Sequence, residues 1–131
     1  MSGLIARQIT EQLRIFPSLS TAILFGSAAI GDTNPFSDLD IAVQSKQSID
    51  SEFRMKLIEH LASQFGRPID LIDLRTVGEP LLGEILKGIR LFGSNHDYAQ
   101  LLNRHLVDAA DFIPLQQRIL KARRDSWIQS S

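Results

Sequence analysis

The 131-residue chain contains no cysteine, which excludes a disulfide framework and any thiolate-held metal. It has no surplus of positive charge: 14 Lys and Arg against 15 Asp and Glu leave a formal net charge of -1. A broad electrostatic footprint for nucleic acid or anionic lipid is therefore not expected, and any anionic ligand has to be held locally. Nor is there an apolar run near the roughly 20 residues that span a bilayer, an internal repeat or a low-complexity segment. The opening "MSGLIARQITEQ" places Gln and Glu where a secretory leader needs unbroken apolar residues. A cytoplasmic location is the expectation, with no membrane contact. What is present is a 44% hydrophobic chain whose length fits one compact domain over residues 1–131.

Ile5, Ile9, Leu13 and Phe16 recur at helical spacing with charged residues between them, and Pro17 closes that pattern. "STAILFGS" is a short apolar run entering a Gly-Ser turn, the mark of a buried strand. "DTNPFS" has loop chemistry, with Asp32 as a turn residue. From Asp38 to Val43 the residues alternate: Leu39, Ile41 and Val43 point one way, and Asp38, Asp40 and Ala42 the other. Phe53, Leu57, Ile58, Leu61 and Phe65 predict a helix with Asp50 or Ser51 as N-cap and Gly66 as its stop. "RPIDLIDLR" predicts a third strand carrying Asp70 and Asp73 on opposite faces. Leu81, Leu82, Ile85, Leu86 and Ile89 predict a helix after Pro80, and "IRLFG" a short fourth strand. A C-terminal helical extension is expected from about residue 96 to 131, broken near Asp111 to Pro114 by the proline. This order gives an α/β (α+β) fold, a small mixed β-sheet flanked by helices.

Two like charges on one strand face pose a physical problem. Carboxylates at i and i+2 have α-carbons about 7 Å apart, and their repulsion in a partly buried site raises one pKa unless a cation sits between them. A divalent metal resolves this. Magnesium takes oxygen ligands and is usually held by one or two carboxylates together with nucleotide phosphates. The Gly26-Ser27 turn supplies the other half, since glycine admits a phosphate close to the backbone, where successive N–H groups bind anions. Asp70 is the candidate to complete a set of three carboxylates, binding a second metal or taking a proton from an attacking hydroxyl. Asp38, Asp40 and Asp70 are therefore expected to converge on one cleft beside the Gly26-Ser27 turn.

Gly26, Ser27, ten residues, then Asp38, Leu39 and Asp40 resemble the G-S-x10-D-x-D signature of the DNA polymerase beta-like nucleotidyltransferase superfamily. With "GRPIDLIDL" followed by "EPLLGEILKGIRLFG", the chain resembles the minimal nucleotidyltransferase, or MNT, type from about residue 13 to 92. The resemblance implies that fold with C-terminal helices, and magnesium-dependent transfer of a nucleoside monophosphate from ATP or another NTP with release of pyrophosphate. Many MNT proteins are antitoxins that silence HEPN-domain ribonuclease toxins by adenylylating a tyrosine. A HEPN toxin is accordingly the implied partner, in a hetero-oligomer. Carried over residue by residue, the resemblance gives Asp38, Asp40 and Asp70 the catalytic and metal-binding roles. Gly26, Ser27 and Ser37 take the nucleotide-binding roles. Asp73 is the rival of Asp70 for the third carboxylate.

One departure from the family pattern stands out. Where many relatives carry arginines after the Gly-Ser pair and in the following loop, this chain has Ala29, Ile30, Asn34 and Pro35. Lys46, Lys87 and Arg90 are the candidates to compensate. His60, His96 and His105 show no ligand spacing, and the Arg90 to His96 interval, which matches a HEPN nuclease motif, is read as coincidence. Phe112, Ile113, Leu115, Ile119 and Trp127 exceed what the small sheet needs and are candidates for a partner interface. The alternative readings are an antitoxin that inhibits by binding alone and, third, a nucleotidyltransferase acting on a small molecule such as an aminoglycoside.

Overall fold

The computed structural model describes residues 2–31 and 34–110. Asp32, the expected break at 111–114 and the apolar residues from Phe112 to Trp127 lie outside the described residues. Helix α1 (Ser2–Leu13) leads into strand β1 (Leu19–Phe25), and a single 3-10 turn, Ser27–Ile30, follows it. Strand β2 (Leu39–Ser45), helix α2 (Ser51–Phe65), strand β3 (Ile69–Asp73), helix α3 (Leu81–Leu86), strand β4 (Ile89–Phe92) and helix α4 (Asn95–Ala110) complete the described order. No described helix is long and apolar enough to cross a membrane.

The four strands form one mixed sheet in the order β3-β2-β1-β4. β1 pairs antiparallel with β2 and β4, while β2 and β3 run parallel. The parallel pair is connected through α2, as parallel strands require a crossover. The period-2 alternation of β2 separates two cores. Leu39, Ile41 and Val43 are fully buried with Ile9 and Leu13 of α1 and Leu57 and Leu61 of α2. On the other face Ala42 joins Ile23, Phe25, Leu82 and Ile85 of α3 and Leu101 of α4. Helices thus cover both faces of the sheet.

Local chemistry sets the boundaries. The Asp50 side chain accepts the Phe53 N–H at 2.7 Å, satisfying one of the orphan donors of α2. Gly66, at φ 62°, ends the helix and donates its N–H to Ala62. Two helices are shorter than their hydrophobic periodicity suggests. Phe16 lies beyond α1, because Pro17 disfavours helical geometry in the residue before it. Its ring instead stands edge-on to Phe53 and His60. Ile89 belongs to β4 and not to α3: a Cβ at Gly88 would fall on the Leu24 carbonyl, so the chain there lies flat against β1.

Candidate active site

The site forms where β1 ends and β2 and β3 begin, on the face covered by α3 and α4. Gly26 leaves β1 at φ 72°, ψ -156°, a conformation that favours glycine. A Cβ at this position would overlap the carboxylate of Asp40, so the missing side chain is also what lets that carboxylate lie against the turn. Ser27 is half-buried and opens the 3-10 turn, whose N-terminus receives no side-chain cap.

Asp40 is the partner of Phe25 across the antiparallel pair and of Asp70 across the parallel one. Register alone therefore places the Asp40 and Asp70 side chains next to each other on the same face. Burial holds the Asp40 carboxyl above its ordinary value of 3.8, and the Asp70 charge, a hydrogen bond to Asp70 and the Asp38 charge push it the same way. These effects favour the protonated form of the Asp40 carboxyl over its ionised form.

Register brings two of the three aspartates, Asp40 and Asp70, side by side. Asp38 precedes the first pairing residue of β2 and is exposed, and its charge acts on Asp40. Among the described residues no group of three or more His, Cys, Asp or Glu is gathered tightly enough to hold a metal ion. The strand starts one residue later than its alternation suggests, with the Leu39 N–H bonded to the Pro68 carbonyl at 2.9 Å. Asp38 is thereby left on the loop. Ser37 is half-buried, and its carbonyl accepts the Arg67 Nε at 2.8 Å. Asp73 faces away from Asp70: it is opposite Val43, and its carboxylate caps the Arg75 N–H at 2.9 Å.

The three candidate cations occupy different places. Lys46 sits at the far end of the sheet, where its N–H bonds the Ser18 carbonyl. Arg90 lies over the Tyr98 ring at 4.5 Å. Lys87 lines a hollow of about 260 Å³ with Gly26, Ala29, Ile30, Glu84 and Gly88. The histidines that have contacts are structural: His60 bonds Gln12 at 2.8 Å, and His105 bonds the nearly buried Glu79 at 2.6 Å. Sequence reasoning missed Arg67, since nothing in a basic residue ahead of a strand reveals which loop carbonyl it will reach.

The family model for polymerase beta nucleotidyltransferases matches residues 7–97. A curated relative, the protein adenylyltransferase MntA of Shewanella oneidensis, is 35% identical over 82 residues, 62% of this chain and 59% of the relative. The match thus spans less than two thirds of that relative's length. A crystal structure of a toxin-antitoxin with AMP-PNP aligns at TM-score 0.69 and 27% identity, covering 95% of this chain and 96% of the other. A structure of the tri-AMPylated HEPN toxin of Shewanella oneidensis in complex with MNT antitoxin aligns at TM-score 0.67 and 27% identity, covering 99% and 98%. The acidic strand pair, the glycine turn that accommodates it and these matches give one conclusion: the chain belongs to the polymerase beta nucleotidyltransferase family.

Proposed function

We propose that this chain is an antitoxin nucleotidyltransferase, a single domain that transfers AMP from ATP to a tyrosine of a HEPN toxin in the cytoplasm and so neutralises it. The observation that carries this reading is the Asp40 and Asp70 pair, held in adjacent register against the backbone of Gly26. A steric inhibitor has no use for it, because a half-buried carboxyl set beside a second acidic group destabilises the fold.

In the proposed reaction the tyrosine oxygen forms a bond to the α-phosphorus. The bond from that phosphorus to the β-phosphate oxygen breaks, and pyrophosphate leaves. Asp70, the exposed member of the pair, accepts the hydroxyl proton. Gly26 and Ser27 hold the phosphate chain on backbone N–H groups, with Ser37 beside the acidic residues. The donor set is all oxygen and carries a carboxyl under electrostatic stress, which fits magnesium. Asp40 and Asp70 would hold it, with Asp38 joining from the loop. Bound there, it would neutralise the phosphate charge and relieve the aspartates. A second reading, inhibition by binding alone, is favoured by the absence of arginine at Ala29, Ile30, Asn34 and Pro35.

The test incubates the chain with magnesium, ATP labelled at the α-phosphate and a HEPN protein encoded beside it, with the double variant Asp38→Ala, Asp40→Ala in parallel. Label on the HEPN protein that disappears with the variant is the expected result. An unlabelled HEPN protein bound equally tightly by both forms would establish the second reading instead.

A further inference from the structure

A triphosphate entering this site meets Asp38, Asp40 and Asp70, and the loops flanking the Gly26 turn offer no arginine to balance them. Several other basic side chains are already committed to backbone. Arg67 holds the Ser37 carbonyl, Arg75 the Ser45 carbonyl at 2.8 Å, and Arg104 the Leu74 carbonyl at 2.6 Å. Lys46 is at the wrong end of the sheet, and Arg90 covers a tyrosine ring.

Lys87 differs from all of these in its place. It is the basic residue of the hollow that Gly26 lines, facing Ala29 and Ile30 from the end of α3. That end is pinned. A Cβ at Gly88 would collide with the Leu24 carbonyl and crowd Phe25, and the Gly88 N–H is bonded to the Ile85 carbonyl at 2.9 Å. Lys87 therefore starts one residue from a tight contact with the end of β1, and β1 continues directly into Gly26. Its ammonium lies 3.3 Å from Glu84, and both side chains are largely exposed. An exposed pair of this kind is held weakly and gives way to a more highly charged anion.

We propose that Lys87 binds the terminal phosphates of the nucleoside triphosphate, and the pyrophosphate that leaves, in the hollow between the Gly26 turn and the end of α3. Lys87 supplies from a helix end the positive charge that the loop lacks. The inference rests on the nucleotidyltransferase reading and adds to it the residue that recognises the leaving group.

The test measures binding of ATP, pyrophosphate and AMP, each as a separate probe with magnesium, to the wild-type chain and to Lys87→Ala, Lys87→Arg and Lys46→Ala. Lys87→Ala is expected to weaken ATP and pyrophosphate roughly 10- to 100-fold, the loss of a charge-assisted contact, and to leave AMP unchanged. Lys87→Arg restores most of the affinity, and Lys46→Ala behaves as wild type. Because Lys87 is exposed, an unchanged melting temperature confirms that the variants fold. Equal affinity of wild type and Lys87→Ala for ATP and pyrophosphate overturns the inference, as does an equal loss for AMP. A Lys87-dependent affinity in a protein that labels no HEPN partner supports this inference while overturning the acceptor named above. A wild-type chain that binds neither ATP nor pyrophosphate overturns both.

Discussion

Asp40 and Asp70 occupy matching positions on neighbouring parallel strands, and burial of Asp40 together with the charge of its neighbour penalises the ionised form of Asp40. The folded state thus favours protonated Asp40. Its contribution to stability is fully present below pH 3.8 and is lost as pH rises through the elevated folded value. Asp40→Asn, whose amide donates to Asp70 at every pH, is expected to raise the melting temperature at neutral pH by roughly 2–5 °C. The gain shrinks toward zero in acid. A thermal melt series from pH 3 to 8 in the presence of a chelator checks this, and a gain that does not vary with pH would refute it.

Magnesium is expected to act on the same balance. Titrated into the wild-type chain at neutral pH, it raises the melting temperature by neutralising the pair, and the shift is largely lost in Asp40→Asn. Differential scanning fluorimetry reads this without reference to any activity. A shift of equal size in both proteins places the ion elsewhere.

Gly26 is constrained twice, by its positive φ and by the carboxylate that occupies the space of its missing side chain. Gly26→Ala is expected to cost about 1–3 kcal/mol of stability and to displace Asp40, so that AMP transfer falls by more than the lost fraction folded explains. Urea denaturation beside single-turnover labelling separates the two effects.

Asp70 and Asp73 make an internal control, two positions of one short strand on opposite faces. Asp70→Asn is expected to reduce AMP transfer by at least about 100-fold, the scale of a lost general base. Asp73→Asn leaves the rate within about twofold and costs at most about 1 kcal/mol, through its bond to the Arg75 N–H. The reverse pattern would make Asp73 the third carboxylate.

Arg104 ties α4 to the segment after β3 by donating to the carbonyls of Leu74, Arg75 and Val77. Arg104→Met keeps much of the apolar stem and removes the donors. It is expected to cost about 1–3 kcal/mol, measured by chemical denaturation, with ATP affinity unchanged.

How much of this was legible in the sequence depends on which information is local. Alternation told which side Asp40 shares with Ala42, and the Asp50 and Gly66 chemistry marked the limits of α2, because both effects act within a few residues. The neighbour of Asp40 was not readable that way. It depends on β2 and β3 pairing in parallel with Leu39 opposite Ile69, a relation set by how α2 packs across the sheet. The start of β2 at Leu39 depends likewise on the distant Pro68 carbonyl. Asp38 consequently read as a strand residue and proved to be the last residue of a loop. The shortening of α3 had the same origin, since its periodicity carries no trace of the Leu24 carbonyl that Gly88 must approach.

The anchoring of Ser37 by Arg67 has an entropic consequence. The segment leading to Asp38 is tied just before that residue by the Arg67 guanidinium and just after it by the Leu39 N–H. The backbone on either side of Asp38 is thus ordered before any substrate arrives. In the proposed function, bringing the Asp38 carboxylate to the site requires a choice among side-chain rotamers, not the folding of a loop. The ordering cost at binding falls from that of several backbone residues to that of one short side chain.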